Sequence, residues 1–118
     1  MAWTLIESAD YRKTLPVALG RFGARKTKIA LRLNALMDRL GEKGPQSLAR
    51  KAWKPEGYVK DGHGRQKQFH AIAHGQIRIY AVHEGDEVLL SHAVYKDQEK
   101  LDASDTARVQ DNYRSWKR

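Results

Sequence analysis

Three strand-like segments joined by two tight turns constrain the fold of this chain more than any other feature. The segments are Gln66–His74, Ile77–His83 and Glu87–Tyr95, and turn-forming residues bound each of them. Gly75 and Gly85 mark the two turns. Connections this short join neighbouring antiparallel strands. The sequence therefore predicts a three-stranded meander.

The apolar pattern of the segments predicts which side chains point inward. The run Val88–Leu90 is apolar at three successive positions, which is typical of a central strand covered on both faces. In the first segment, Phe69, Ala71 and Ala73 share one face and are expected to point inward. His70 then points outward.

The N-terminal segment predicts a short strand followed by a helix. Trp3–Glu7 reads as the strand, and Ser8 and Asp10 are both suitable caps for a helix that runs to about Leu19. Pro16 is expected to break that helix or to start a new turn, because proline lacks the amide proton that a helix interior uses.

The remaining segments complete an α+β pattern. Thr27–Leu40 carries one apolar stripe at helical spacing and a basic opposite face, which predicts a helix packed on the core. Gln46–Gly64 is rich in Gly and Pro and is expected to be an irregular loop. Ala103–Trp116 is expected to form a final helix. A strand, two helices, the meander and a helix predict four strands in a single α+β domain over residues 1–118.

Charge is distributed unevenly along the chain. Residues 1–82 hold sixteen Lys and Arg against six Asp and Glu, residues 83–118 hold six against eight, and the formal net charge is +8. This excess predicts a polyanionic partner, with a merely soluble basic surface as the alternative.

The chain has no cysteine, which excludes disulfides, thiolate metal sites and a cysteine nucleophile, and suits a cytoplasmic protein. No segment is apolar over the ~18 residues that a membrane span needs, so no membrane association is expected.

Aromatic and basic side chains alternate around the predicted loop and the first meander strand. Unpaired bases stack on aromatic rings, and Lys and Arg neutralise phosphates, so this pattern is typical of proteins that bind single-stranded RNA. Trp53 and Tyr58 are candidate stacking rings, whereas Phe69 is expected in the core. The candidate RNA-binding residues are Lys54, Lys60, Arg65, Lys67 and, in the final helix, Arg114.

Cleavage of RNA without a metal requires a group that deprotonates the 2′-hydroxyl, cations on the phosphate and a proton donor for the leaving oxygen. His can move a proton near neutral pH, and Arg binds phosphate oxygens in pairs. Two candidate residues also have a purely structural alternative: His92 as a core histidine, and Arg78 as the partner of Asp86 or Glu87. No metal is expected, because histidines four apart on a strand begin ~13 Å from each other. The candidate catalytic residues are Arg78, His92, Tyr95, Lys96 and His70.

The run from Gln76 to Lys100, with Asp105 and Ala107 after it, resembles the C-terminal half of RelE/ParE superfamily toxins, closest to the phage-derived HigB-like group. The shared features are a strand with Arg and Tyr, a turn, a strand rich in Val and Leu, and an exit motif with Lys and Gln. The resemblance implies a twisted, mainly antiparallel four-stranded sheet with an N-terminal helical hairpin and a short C-terminal helix.

The resemblance also implies a function. Members cleave mRNA at the ribosome without a metal or another cofactor, and a cognate antitoxin neutralises them. Arg78 is similar to the strand arginine that contacts the scissile phosphate, and Lys96 to the second lysine of the exit motif. His92 and Tyr95 lie where relatives carry a general base or acid. Two alternatives stay open: a ParE-like toxin that poisons DNA gyrase without catalysis, and a plain nucleic-acid-binding module.

Overall fold

A computed structural model of the chain describes residues 2–96 and 101–117. The described part has an α+β fold, as expected from the sequence, with one open, mixed sheet in the strand order β1–β5–β4–β3–β2. The sheet has five strands in that part, so the predicted count of four is wrong. None of the helices in the described part is long and apolar enough to cross a membrane. The elements in chain order are β1 (Thr4–Glu7), α1 (Ala9–Gly20), α2 (Lys26–Lys43), β2 (Trp53–Lys60), β3 (Gln66–His74), β4 (Ile77–Glu84), β5 (Glu87–Tyr95) and α3 (Ala103–Lys117).

The additional strand is β2, which lies inside the segment that was expected to be an irregular loop. It pairs antiparallel with β3, and a bulge between Pro55 and Gly57 interrupts the register. Pro55 is tolerated because β2 is an edge strand, where a missing amide donor breaks no pairing. The Gln110 side chain covers part of this edge: its amide accepts from Lys60 N at 2.7 Å and donates to Lys60 O at 3.0 Å.

The opening strand makes the sheet mixed. β1 pairs parallel with β5, with Thr4 opposite Glu87 and Glu7 opposite Leu90. The antiparallel meander β3–β4–β5 is as predicted. A parallel neighbour requires a long crossover connection, and the segment containing α1 and α2 begins that crossover on one face of the sheet.

Helix α1 begins where the sequence indicated and continues past its proline. Ser8 is the N-cap: its Oγ accepts from Tyr11 N at 3.0 Å and donates to Ser91 O at 2.6 Å. Pro16 lies inside α1, so the expected break is wrong. Because Pro16 has no amide proton, the carbonyl of Arg12 loses its helical donor. Pro16 and Arg12 are both exposed, so water can satisfy that carbonyl.

The sheet is covered on both faces. We call the side covered by α1 and α2 the hairpin face and the other side the α3 face. β5 is covered on both, as predicted, with Val88 and Leu90 on the hairpin face and Leu89 on the α3 face. The core of the hairpin face includes Tyr11, Leu19, Ile29, Leu33, Leu40, Ile72 and Ile79. The core of the α3 face includes Phe69, Ala71, Tyr80, Val82, Val109 and Tyr113.

Candidate functional site

A row of four side chains crosses the α3 face of the sheet. Lys54, Ala71, Tyr80 and His92 are successive cross-strand neighbours on β2, β3, β4 and β5. Because adjacent strands lie about 4.8 Å apart, the row brings together residues that are distant in sequence. A bulge in β5 opposite the Tyr80–Ala81 step shifts the register, so that His92 faces α3.

Asp105, in the first turn of α3, ends this row with a buried carboxylate. Its Oδ1 accepts from His92 Nε2 at 3.0 Å, and its Oδ2 accepts from Lys96 Nζ at 2.9 Å. The Asp105 side chain is 7% exposed and the Lys96 side chain 15%. Burial alone would raise the pKa of Asp105, but the hydrogen bonds from His92 and Lys96 outweigh it, and the pKa lies below its ordinary value. Asp105 is therefore an anion at neutral pH and holds the Lys96 ammonium in place.

His92 is fully buried, and both ring nitrogens contact protein groups. Its Nδ1 lies 2.9 Å from Ser91 Oγ, which accepts from Asn112 Nδ2 at 2.9 Å. The Ser91 proton is then available for Nδ1, while Nε2–H donates to Asp105, so a neutral imidazole satisfies every group. His92 orients Asp105 and does not reach solvent.

Tyr80 packs beside this pair, with its ring centroid 5.0 Å from that of His92. Burial, followed by the negative charges of Asp105 and Glu56, raises the pKa of Tyr80 well above its ordinary value. The phenol therefore stays protonated. Glu56, whose charge contributes to this raised pKa, lies in the β2 bulge.

A cleft of about 710 Å³ adjoins the row where α2 meets the β3–β4 turn and the start of β2. We call it the basic cleft. Its floor contains alanines, and no carboxylate occurs among the described residues that line it. A surface of this charge favours a polyanion. Its polar lining comprises Arg32, Arg39, Lys51, Lys54, His74 and Arg78.

Arg78 belongs both to the basic cleft and to the α3 face. It stands two residues before Tyr80 on β4 and is only 6% exposed. Its Nη1 donates to Gly75 O at 2.6 Å and to Ile77 O at 3.0 Å, which fixes the guanidinium at the β3–β4 turn. Arg78 and Lys54 thus line the basic cleft and also lie on the face of the sheet that carries the Asp105 pair.

The structure divides the five candidate catalytic residues between the two faces. Arg78, His92 and Lys96 lie on the α3 face, whereas Tyr95 and His70 lie on the hairpin face, as strand alternation requires. The five residues therefore do not all contribute to one site.

Tyr95 and His70 each contact other aromatic groups on the hairpin face. Tyr95 packs edge-on against Phe22, with ring centroids 5.1 Å apart, and the Arg21 guanidinium lies 4.6 Å from the Tyr95 ring centroid. His70 stacks on Trp53 with ring centroids 4.7 Å apart. Both side chains are thus separated from Asp105 by the thickness of the sheet.

The five candidate RNA-binding residues are also separated. Lys54 lines the basic cleft. Lys60 and Arg114 line a smaller cleft of about 360 Å³ between the β2–β3 turn and α3. Arg65 is exposed in that turn, where its backbone N–H donates to Asp61 Oδ1 at 3.0 Å, and Lys67 lies opposite Val59 on β3.

Sequence reasoning missed part of the site. Arg32 and Arg39 are seven residues apart, two helical turns, so their shared face was readable from the sequence. Lys51 and Glu56 lay in the segment expected to be a loop. The role of Asp105 depends on how α3 docks, for which the sequence carries no local signal. The residues that were missed are Arg32, Arg39, Lys51, Glu56 and Asp105.

Comparisons with known proteins add no family assignment. The chain matches no protein-family model. It matches neither a curated protein nor a solved structure. Within residues 2–96 and 101–117, no three His, Asp or Glu side chains are grouped so that they could hold a metal ion.

Proposed function

We propose that this chain is a metal-independent endoribonuclease, a HigB-like toxin of a type II toxin–antitoxin system that cleaves mRNA at the ribosome in the cytoplasm. One observation carries the proposal: Lys54 and Arg78 line the basic cleft and lie on the same face of the sheet as the Lys96–Asp105 pair. In this proposal an RNA held in the cleft extends along that face to the charged pair, which is suited to proton transfer. The resemblance of residues 76–100 to RelE/ParE toxins supports the same function.

The proposed reaction is attack of a 2′-hydroxyl on the adjacent phosphorus, with loss of the 5′-oxygen and formation of a cyclic phosphate. Arg78 and Lys54 neutralise the charge that builds on the phosphate. Lys96, oriented by Asp105, donates a proton to the 5′-oxygen as the P–O bond breaks. Glu56, the carboxylate nearest this row on β2, accepts the proton of the 2′-hydroxyl.

This assignment replaces the histidines that were expected to move the proton. Both ring nitrogens of His92 are engaged inside the protein, and His70 lies on the hairpin face. His92 is therefore a positioning residue that acts through Asp105. Tyr95 has no part in the reaction. We propose further that a cognate antitoxin protein neutralises the toxin, as the resemblance implies.

The test is controlled expression in translating bacterial cells, with the 5′ ends of mRNA mapped across the transcriptome. Cuts clustered at one codon position are the expected result. Arg78→Ala should abolish these cuts and the growth arrest, because the scissile phosphate loses its cation. Lys28→Ala is the matched control: it removes an exposed cation of α2 that does not line the basic cleft, and it should leave both effects intact.

Three outcomes would contradict the proposal. DNA damage with intact mRNA would favour the ParE-like gyrase poison, and intact mRNA without DNA damage would favour a plain binding module. Full cleavage by Arg78→Ala, with circular dichroism showing a native fold, would refute the role of that residue.

A further inference from the structure

The hairpin face of the sheet has exposed residues at its β2 end. Val59 and Phe69 point to the α3 face and are buried, so their neighbours in β2 and β3 point to the hairpin face. Four of these neighbours are exposed, and we call them the open strip. They form two cross-strand pairs, Tyr58 with Gln68 and Lys60 with Gln66.

Tyr58 is the one aromatic residue of the open strip, and its ring is exposed. Its side chain is 53% exposed, whereas the other large aromatic residues in the described part of the chain are buried or half-buried. An exposed aromatic ring on a basic surface can stack on an unpaired base. Two amide side chains and an ammonium flank this ring.

The open strip leads back to the basic cleft along the hairpin face. Between them lie the stacked rings of Trp53 and His70, nearly parallel at 14°. Burial, and then the charge of His83, lowers the pKa of His70, so the imidazole that stacks on Trp53 is neutral. His74, four residues after His70 and on the same face of β3, lines the cleft itself. Trp53 and Tyr58 are five residues apart, about 16 Å along a strand.

The cations, rings and amide side chains along this path indicate the kind of ligand that they bind. Cations bind phosphates without regard to sequence, rings stack on exposed bases, and amide side chains pair with base edges. A duplex keeps its bases stacked on each other, so Tyr58 has no face to bind there. A protein partner would need an apolar centre, and here a single ring stands among polar groups.

We infer that the open strip is a stacking platform for unpaired bases of RNA that continues out of the basic cleft along β2. The inference rests on the proposed function and deepens it, because it specifies a single-stranded substrate. Tyr58 stacks on one base, Gln68 and Gln66 contact base edges, and Lys60 contacts the backbone. The platform lies on the face opposite to the Lys96–Asp105 pair, so it binds nucleotides that flank the cleaved bond.

The experiment is fluorescence anisotropy of the full chain with a labelled single-stranded 2′-O-methyl RNA, which has no free 2′-hydroxyl and cannot be cut. Tyr58→Ala should weaken binding about tenfold, the loss expected for one stacked base. Tyr58→Phe keeps the ring and should stay within about twofold of wild type by the same reasoning. Leu31→Ala is the matched control, because it removes an exposed apolar side chain from α2.

Two further measurements separate stacking from charge. Tyr58→Ala should leave the dependence of log affinity on log salt unchanged, whereas Arg39→Ala in the basic cleft should reduce that slope by about 1. Tyr58→Ala should also leave binding to a double-stranded RNA of the same length unchanged.

The outcomes distinguish this inference from the proposed function. Binding of single strands by Tyr58→Ala within twofold of wild type, or an equal loss for single and double strands, would overturn the platform alone. Wild-type protein that binds neither RNA would also overturn the platform, whereas the proposed function fails only if mRNA stays intact in translating cells.

Discussion

Replacing Asp105 with asparagine should destabilise the fold by about 2–3 kcal/mol at pH 7. The carboxylate accepts two hydrogen bonds, from His92 at 3.0 Å and from Lys96 at 2.9 Å, and a bond to a charged group contributes about 1.5–3 kcal/mol. Asparagine keeps one acceptor oxygen but turns an N–H₂ group toward the second donor. Because the Lys96 side chain is 15% exposed, water compensates part of that loss, which keeps the cost below the roughly 3–5 kcal/mol of breaking a fully buried pair.

The effect should depend on pH in a defined direction. The pKa of Asp105 in the folded chain lies below the ordinary value of 3.8. A carboxyl group with a lowered pKa stabilises the fold fully above its unfolded pKa, and this contribution disappears as the pH falls through the folded pKa. The difference between wild type and Asp105→Asn should therefore be largest near pH 7 and shrink below about pH 3.8.

Urea unfolding followed by tryptophan fluorescence at pH 7 and pH 3 measures both quantities. Asp111→Asn is the matched control, since Asp111 is an exposed carboxylate on the same helix. Asp10 also has a lowered pKa, but its contribution is common to both proteins and cancels in the difference. Equal stability of Asp105→Asn and wild type at pH 7 would refute the reasoning, and a deficit that is the same at both pH values would show that shape, not charge, matters.

Two further predictions concern stability alone. Gly44→Ala should lower stability by about 3 kcal/mol, because Gly44 has φ +82 and an added Cβ would overlap the Trp3 ring. Thermal unfolding measures this loss. Gly62→Ala is the control, because Gly62 has open space around it, and it should melt like wild type. A Gly44→Ala melt equal to that of the control would contradict the close approach. Ser8→Ala should lower the free energy of unfolding by about 1–2 kcal/mol, measured by urea unfolding, because Tyr11 N loses its acceptor. A loss below about 0.5 kcal/mol would rule out the cap as a main support of α1.

The parts of the fold that the sequence predicted depend on local patterns. The stripe of α2, including Ile29 and Leu33, shows its period within a few residues and is buried as expected. Gly75 and Gly85 have positive φ at the predicted turns. β2 was missed because Pro55 and Gly57 are typical of loops, and only pairing with β3 and a bulge turn that segment into a strand.

The candidate site was less accessible from the sequence than the fold. Alternation on β4 correctly indicated that Arg78 and Tyr80 share a face. The facing of His92 depends on the bulge in β5, which responds to packing on both faces of the sheet and leaves no sequence motif. The position of Asp105 depends on where α3 docks, a long-range contact that no local pattern encodes.

The parallel pairing of β1 with β5 constrains the order in which this chain can fold during synthesis. Ser8 and Ser91, which are hydrogen-bonded, are 83 residues apart in sequence. β1 therefore has no partner during synthesis until β5 has also been made, and such distant contacts form slowly. The β1 edge, the Ser8–Ser91 bond and the His92–Asp105 contact all require β5 or α3. The nascent chain consequently stays without an ordered Asp105 pair until both β5 and α3 have been synthesised.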